Sequence, residues 1–376
     1  MKTHHFIVSM VLFAGSLAGL AAEGNQQIAI GPYLQNMSPE SVTLCWSTLD
    51  GAATIIPDGG ELLSVPHYQQ HEIRLARLRP NTTYHYDVLQ DGSDAGKGSF
   101  TTFPKKVQPF HFAVLGDTRS RADVHQKIVN RIIEEQPMFV VNTGDLVSNG
   151  ENIQDWQKFF DINHQLMRDT PYFSVLGNHE KDSKNYYNFF DLPGNERYYN
   201  FSIGDALFIV LDGEGPEFST PAYVRGENRE YFWNHYNLDY LTQEKNWLEN
   251  VLTMHKDAGF VFVFMHEPMY SIKKSRVAGA AMRRAFWGDI FERHHVQVFL
   301  NGHDHHYHHA FHGGTHYITT AGGGAPLYDT DAPQPETVMF KKIEHFMTVD
   351  VELEQAVLTA IDINGEVIEK IIVNKR

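Results

Sequence analysis

Aspartate, asparagine and histidine recur in five short runs, each directly behind an apolar segment. They are Gly116-Asp117-Thr118-Arg119, Gly144-Asp145, Gly177-Asn178-His179-Glu180, His266-Glu267-Pro268 and Gly302-His303-Asp304-His305. Two carboxylates, one amide oxygen and three imidazoles make a mixed oxygen and nitrogen donor set, which suits zinc, manganese or iron. One carboxylate of such a set can bridge two ions about 3.5–4 Å apart, the arrangement used for in-line displacement at phosphorus. Taken singly the runs are weak. A Gly-Asp pair at a strand end is commonly a turn or helix cap, and a lone His266 is commonly a core histidine. His303 and His305 carry more weight, because a spacing of two on extended chain puts both imidazoles on one side. All five in order, each after a strand, point to a site in the crevice beyond the strand ends. A glycine ahead of a functional residue lets the backbone bend there without a Cβ clash.

The elements that must hold these residues read as follows. From about Gln27 to Phe103 the signals are all β: Ser41 to Thr48, His71 to Leu78 and Tyr84 to Val88 are strands, and Asp91-Gly92 is a turn. Leu78-x-Pro80-x-Thr82-x-Tyr84 resembles the corner motif of fibronectin type III sandwiches, where a tyrosine hydroxyl ties back to upstream backbone. An unrelated small β-domain is the alternative. Pro104 to Pro109 reads as a linker, and beyond it strands alternate with helices. Strands are expected at Phe110–Leu115, Met138–Val141, Tyr172–Leu176, Ala206–Leu211, Phe260–Met265, Val296–Leu300 and Thr315–Thr320. Helices are expected at Asp123–Glu135, at Ile153–Met167 and from near Thr242 to Gly259. The C-terminal stretch returns to β-hairpins, with Asn364-Gly365 as a tight turn.

Composition narrows the function. The 376 residues suit two domains, and a net charge of −15 argues against a general nucleic-acid-binding face. Lys2, the apolar run Phe6–Leu20 and the small pair Ala21-Ala22 predict an export signal, with a membrane anchor as the alternative. No later segment is apolar enough to span a bilayer. Cys45 is the only cysteine and is expected to be a buried small hydrophobe. An exported chain without disulfides suggests a bacterial periplasm, cell surface or secretion. The sequons at Asn36, Asn81 and Asn200 are too common a pattern to alter that.

The ordered runs at Asp117, Asp145, Asn178-His179-Glu180, His266 and His303-x-His305 resemble the calcineurin-like metallophosphoesterase superfamily. The purple acid phosphatase branch is the most similar, since it also carries an N-terminal fibronectin-like domain and a His-x-Pro-x-Tyr run, here His266 to Tyr270. With the export signal taken as residues 1–22, the resemblance implies a fibronectin III-like β-sandwich over 23–104 and a layered αββα catalytic domain over 105–376. It implies two metal ions (iron, zinc or manganese). Asp117, Asp145 and His305 would hold one; Asp145, Asn178, His266 and His303 would hold the other, with Asp145 bridging. It further implies hydrolysis of a small phosphate ester by a metal-bound hydroxide, with His179 protonating the leaving oxygen or stabilising the transition state. Glu180 is expected either to orient His179 or to be a solvated carboxylate.

Two positions depart from the pattern. The superfamily commonly has His two residues after the first Asp, where this chain has Arg119, and purple enzymes have Tyr three residues after the bridging Asp, where this chain has Ser148. Arg119 is expected to contact substrate phosphate, or else to pair with a neighbouring acid. Arg276, with Lys273 and Lys274, is expected to reach the leaving group, or else to lie in a solvated charged loop. His306 is expected to support the metal ligands, with His308 and His309 at the surface. Two other readings are a surface binding protein whose catalytic centre has decayed, and a zinc-sequestering protein. The second predicts ligands crowded in one stretch, whereas these are dispersed.

Overall fold

The computed structural model describes residues 4–10, 27–55, 63–90, 93–213 and 238–376. The chain divides into two compact units, one of residues 1–103 with 163–171 and one of 104–162 with 172–376. The expected cleavage site at Ala21-Ala22, the Asp91-Gly92 turn and most of the segment between Asp212 and Leu238 lie outside the described residues.

The first unit is all β apart from the helical residues 163–169. Strands β2 (Gln27–Gln35), β3 (Ser41–Ile55) and β4 (Leu63–Ala76) form one antiparallel sheet. β1 (His4–Met10), β5 (Thr83–Gln90) and β6 (Ser93–Thr101) form the other, with β1 parallel to β5. Removal of residues 1–22 would therefore take β1 with it. The two sheets join through Trp46, whose indole N–H donates to Gln90 Oε1 at 3.1 Å. Cys45 is buried. The Tyr84 hydroxyl accepts the Arg79 backbone N–H at 2.8 Å, the tie that the corner motif leads one to expect.

The second unit has four layers. One sheet has the order β19-β18-β17-β7-β8-β9, and the other has the order β10-β11-β12-β13-β15-β14-β16. The first comprises β7 (Phe110–Leu115), β8 (Val140–Asn142), β9 (Tyr172–Ser174), β17 (His345–Val351), β18 (Gln355–Asp362) and β19 (Val367–Asn374). The second comprises β10 (Tyr199–Ile203), β11 (Ala206–Val210), β12 (Phe260–Met265), β13 (Val298–Asn301), β14 (Tyr307–His312), β15 (Thr315–Thr320) and β16 (Thr337–Lys341). β7, β8 and β9 are parallel, as are β11, β12, β13 and β15, so the two sets of strand ends carry the five functional runs. The C-terminal hairpins belong to the core, because β17 pairs with β7.

The alternation Phe-Val-Phe-Val-Phe-Met in β12 shows how the layers arise. Side chains two apart share a face, so Phe262 meets the other sheet while Val261, Val263 and Met265 face the helices. Phe262 and Phe208 stack at 5.3 Å, and Phe112 of the opposite sheet meets both edge-on at 5.4 and 5.3 Å. On the other face, Val261, Val263 and Met265 pack with Leu248, Val251 and Leu252 of α4 (Leu238–Met254) and with Trp287 and Phe291 of α5 (Val277–Arg293).

The six-stranded sheet is covered in the same way by α1 (Ala122–Glu135) and by the first turns of α2 (Ile153–Asp169), with Phe159 edge-on to Tyr172 of β9. Helix α1 buries Val124, Ile128 and Ile132 at the expected spacing and stops at Gln136, in left-handed conformation with φ 54°. A short helix, α3 (Lys184–Phe189), follows the third run. Neither α3 nor α5 is expected from the sequence. The buried residues of α5, Ala280, Trp287, Ile290 and Phe291, share one helical face, but Arg283 and Arg284 interrupt that face in the sequence.

Phe208 sits at the middle of the inter-sheet layer, with Phe139 and Phe201 also against it at 5.2 and 4.8 Å. Phe208→Ala is expected to destabilise the protein by about 3–5 kcal/mol, measured as a fall in the denaturation midpoint.

Candidate metal centre

Three of the five runs leave their strands through a tight, strained bend. Asp117, Asp145 and His303 all have positive φ, at 56°, 57° and 71°. For non-glycine residues such φ values are uncommon, and Asp, Asn and His tolerate them best. The strain aims the side chains back over the strand ends. Gly144 shows why a glycine precedes Asp145: its φ is 98°, and a Cβ there would lie 2.6 Å from His266 Nδ1.

Glu180 holds two of these bends together. It is fully buried, and its carboxylate accepts the backbone N–H groups of Gly177 at 2.8 Å, Asp145 at 2.9 Å, Leu146 at 2.9 Å and Val147 at 3.3 Å. It is neither a solvated carboxylate nor the orienter of His179, so both sequence expectations for it are corrected. Burial and then the nearby Asp145 carboxylate push its pKa up, while the N–H donors pull the other way. Asp145 reciprocates, accepting the His179 backbone N–H on Oδ1 at 2.9 Å.

Between the bends lie atoms that all carry lone pairs. His266 turns Nδ1 to the Thr143 carbonyl oxygen at 2.8 Å, so in the neutral ring Nδ1 donates and Nε2 bears the lone pair. That Nε2 faces Asp145 Oδ1 at 3.3 Å, Asn178 Oδ1 at 3.3 Å and His303 Nδ1 at 3.2 Å. His303 Nδ1 is in turn 3.1 Å from Asn178 Oδ1. Burial, then neighbouring His266 and Arg276, pushes His303 well below the ordinary histidine range and toward the neutral, ligating form. Such a cluster of acceptors is unfavourable without a cation among them, so these four residues fit a metal ion.

A second set lies across Asp145. His305 turns Nδ1 to the Pro326 carbonyl at 2.7 Å and points Nε2 at Asp117 Oδ1, 3.2 Å away. Asp117 is fully buried, and that oxygen has no hydrogen-bond partner among the described residues, while its Oδ2 accepts the His303 N–H at 2.9 Å. Asp117, Asp145 and His305 each offer a ligand atom within 4.8 Å of the others. Burial alone would raise the Asp145 pKa, but His266, His179 and Arg119 beside it bring it below its ordinary value. All six expected donors therefore converge around Asp145.

The other expected residues divide. His179 sits at the mouth, 30 % exposed, with Nδ1 on the Ser148 carbonyl at 2.7 Å and Nε2 3.8 Å from Asp145 Oδ2. Arg119 pairs with Asp145, Nε to Oδ2 at 3.1 Å. Arg276 turns onto Asp304 and the His303 carbonyl and lies 5.3 Å from the Tyr328 ring, so it braces the His303 loop from behind. His308 and His309 are buried rather than at the surface. His309 pairs with Glu369 at 3.0 Å, and His308 with Thr337 at 2.9 Å. His306 touches no metal ligand through its ring nitrogens; the ring meets Phe340 edge-on at 5.2 Å.

Sequence reasoning did not single out Glu267, which is fully buried with neither carboxylate oxygen hydrogen-bonded among the described residues. It lies with His266 and His303 in a set of ligand atoms within 4.8 Å, and burial pushes its pKa up to about 8. Its one sequence signal is adjacency to His266.

Glu180→Gln would turn amide hydrogens onto backbone N–H donors. It is expected to cost about 1–3 kcal/mol in stability and to weaken metal binding roughly 10–100-fold, as read by denaturation and by equilibrium dialysis with manganese.

Known proteins share this architecture. Purple acid phosphatase PPD1 from yellow lupin seeds superposes with a TM-score of 0.73 at 16% identity, covering 93% of this chain and 74% of that one. PhoD superposes with a TM-score of 0.65 at 13% identity, covering 93% and 94%. In sequence, purple acid phosphatase 21 of Arabidopsis thaliana is 26% identical over 242 residues, which is 63% of this chain and 52% of that protein. An uncharacterized Mycobacterium tuberculosis protein, Rv2577, is 23% identical over 272 residues, 62% of this chain and 49% of its own length. The chain thus spans about half the length of the curated relatives it matches. The profile of the calcineurin-like phosphoesterase family matches residues 110–307. That match takes in more than half of the 376 residues and every one of the six converging donors, and the chain belongs to the calcineurin-like phosphoesterase family.

Proposed function

We propose that the chain hydrolyses small phosphate esters at a dinuclear metal centre built on Asp145. The observation that carries this reading is the cluster of buried lone-pair atoms, with Asp145 Oδ1 turned to His266 and one Asp145 ligand atom within 4.8 Å of those offered by Asp117 and His305. Asp145, Asn178, His266 and His303 would hold one ion, and Asp117, Asp145 and His305 the other. Ions bound there would supply Lewis-acid polarisation of the phosphoryl group and an acidified water. The donor set admits iron, zinc or manganese.

The protein's own part is positioning and proton transfer. Because His179 Nδ1 faces the Ser148 carbonyl, the Nε2 nitrogen is the one free at the mouth. Protonated, it hydrogen-bonds the phosphoryl group and hands its proton to the leaving oxygen. Asp145 Oδ2 lies 3.8 Å from that nitrogen, which keeps His179 beside the donor cluster. The reading includes export, supported by the basic and then apolar N-terminal stretch. Among the described residues no helix is long and apolar enough to cross a membrane. The alternative, a metal-containing binding protein without activity, draws on the contact of Arg119 with the donors and is separated from the enzyme by assay.

Metal analysis paired with hydrolysis of an aryl phosphate and its bis-aryl diester tests the proposal. The metal-loaded chain is expected to hydrolyse at least one, and Asp145→Asn to lose both metal and turnover. Full activity in Asp145→Asn would end the proposal. His179→Asn is expected to keep its metal while kcat falls about 10²–10⁴-fold for esters of poor leaving groups. The loss should be smaller for a nitrophenyl leaving group, which needs no proton, and an equal loss for both would remove the proton-donor role.

A further inference from the structure

The guanidinium of Arg119 lies among the donors of the first ion set. Its Nε donates to Asp145 Oδ2 at 3.1 Å and its Nη2 lies 3.1 Å from His305 Nε2, while Nη1 reaches the Ser120 hydroxyl at 3.3 Å. His305 Nδ1 is already committed to the Pro326 carbonyl, so Nε2 is the lone-pair nitrogen and accepts from Arg119. Two of the three donor atoms that an ion would need here are thus taken by an internal cation. Only Asp117 Oδ1 is left over, buried and without a hydrogen-bond partner among the described residues. The Arg119 side chain is 14 % exposed, so water screens this cation little. Among the described residues no arginine or lysine hydrogen-bonds the side chain of Asn178, His266 or His303.

We propose that Arg119 is a resident counter-ion of the first site and competes with metal for it. This rests on the reading of the two donor sets as metal sites. One ion then binds readily at Asn178, His266, His303 and Asp145, and a second binds only by displacing Arg119 from Asp145 and His305. Two positive charges cannot share those two atoms, because each excludes the other sterically and by Coulomb repulsion. The displaced side chain has somewhere to go. A cavity lined by Thr118, Arg119, His125, Ser148, Asp155 and Lys158 opens beside it, between α1 and α2. A flexible arginine moving between these positions would make the occupancy of the first site depend on metal concentration.

The test is metal stoichiometry and affinity, by equilibrium dialysis and calorimetry with manganese and zinc, on the full chain and on Arg119→Ala and Arg119→His. The second variant supplies a neutral donor and decides the matter if the alanine variant fails to fold, as judged by circular dichroism. The expected result is one tightly bound ion in the unaltered chain and two in the variants, with the weaker affinity raised roughly tenfold or more. Two ions in the unaltered chain, bound with affinities that the variants leave unchanged, would overturn the proposal alone; a single ion in every protein would overturn it together with the first donor set as a metal site. No ion in any of them would overturn both the proposal and the metal-site reading beneath it.

Discussion

A single buried carboxylate sets the geometry on which the site depends. The bends at Asp145 and Asn178 each leave backbone N–H groups pointing inward, where water cannot satisfy them. Glu180 accepts four of these at once, three from the Asp145 bend and one from Gly177. The Asp145 carboxylate then accepts the N–H of His179, one residue before Glu180. The two loops are therefore interlocked, each supplying the anion that the other's backbone needs. The strained φ at Asp145 persists because this arrangement over-determines it.

The same bends concentrate negative charge. Asp117, Asp145, Glu180, Glu267 and Asp304 are all buried near the strand ends. Arg276 neutralises Asp304 and Arg119 pairs with Asp145. Glu267, left with neither oxygen hydrogen-bonded among the described residues, shows the imbalance most plainly. A fold that concentrates this many acceptors in one buried region has a standing demand for positive charge.

Much of this was legible in the sequence because the donors are local signals. An Asp or His directly after an apolar strand declares itself within four or five residues, and β12 announces both its faces through strict alternation. What could not be read depends on partners distant in sequence or on backbone. Glu180 looks like an ordinary surface acid because its role is to four N–H groups, which leave no residue signature. His309 reads as exposed until Glu369, on a strand far along the chain, is folded against it. Helix α5 escaped because Gly279, Gly288 and a run of alanines blur its periodicity, and its burial comes from the sheet it covers. The uses of Arg119 and Arg276 were likewise open, since a cation's partner is a tertiary fact.

The sheet topology has a further consequence. Asp117, Asp145 and Asn178 come from one sheet, and His266, His303 and His305 from the other, so neither layer holds the whole donor set. The layer that carries the first three is itself finished only by β17, β18 and β19, the last strands of the chain. The bends that carry Asp117, Asp145 and Asn178 thus rest on a sheet whose strand β7 is held on one side by β8 and on the other by β17, from a segment more than two hundred residues away.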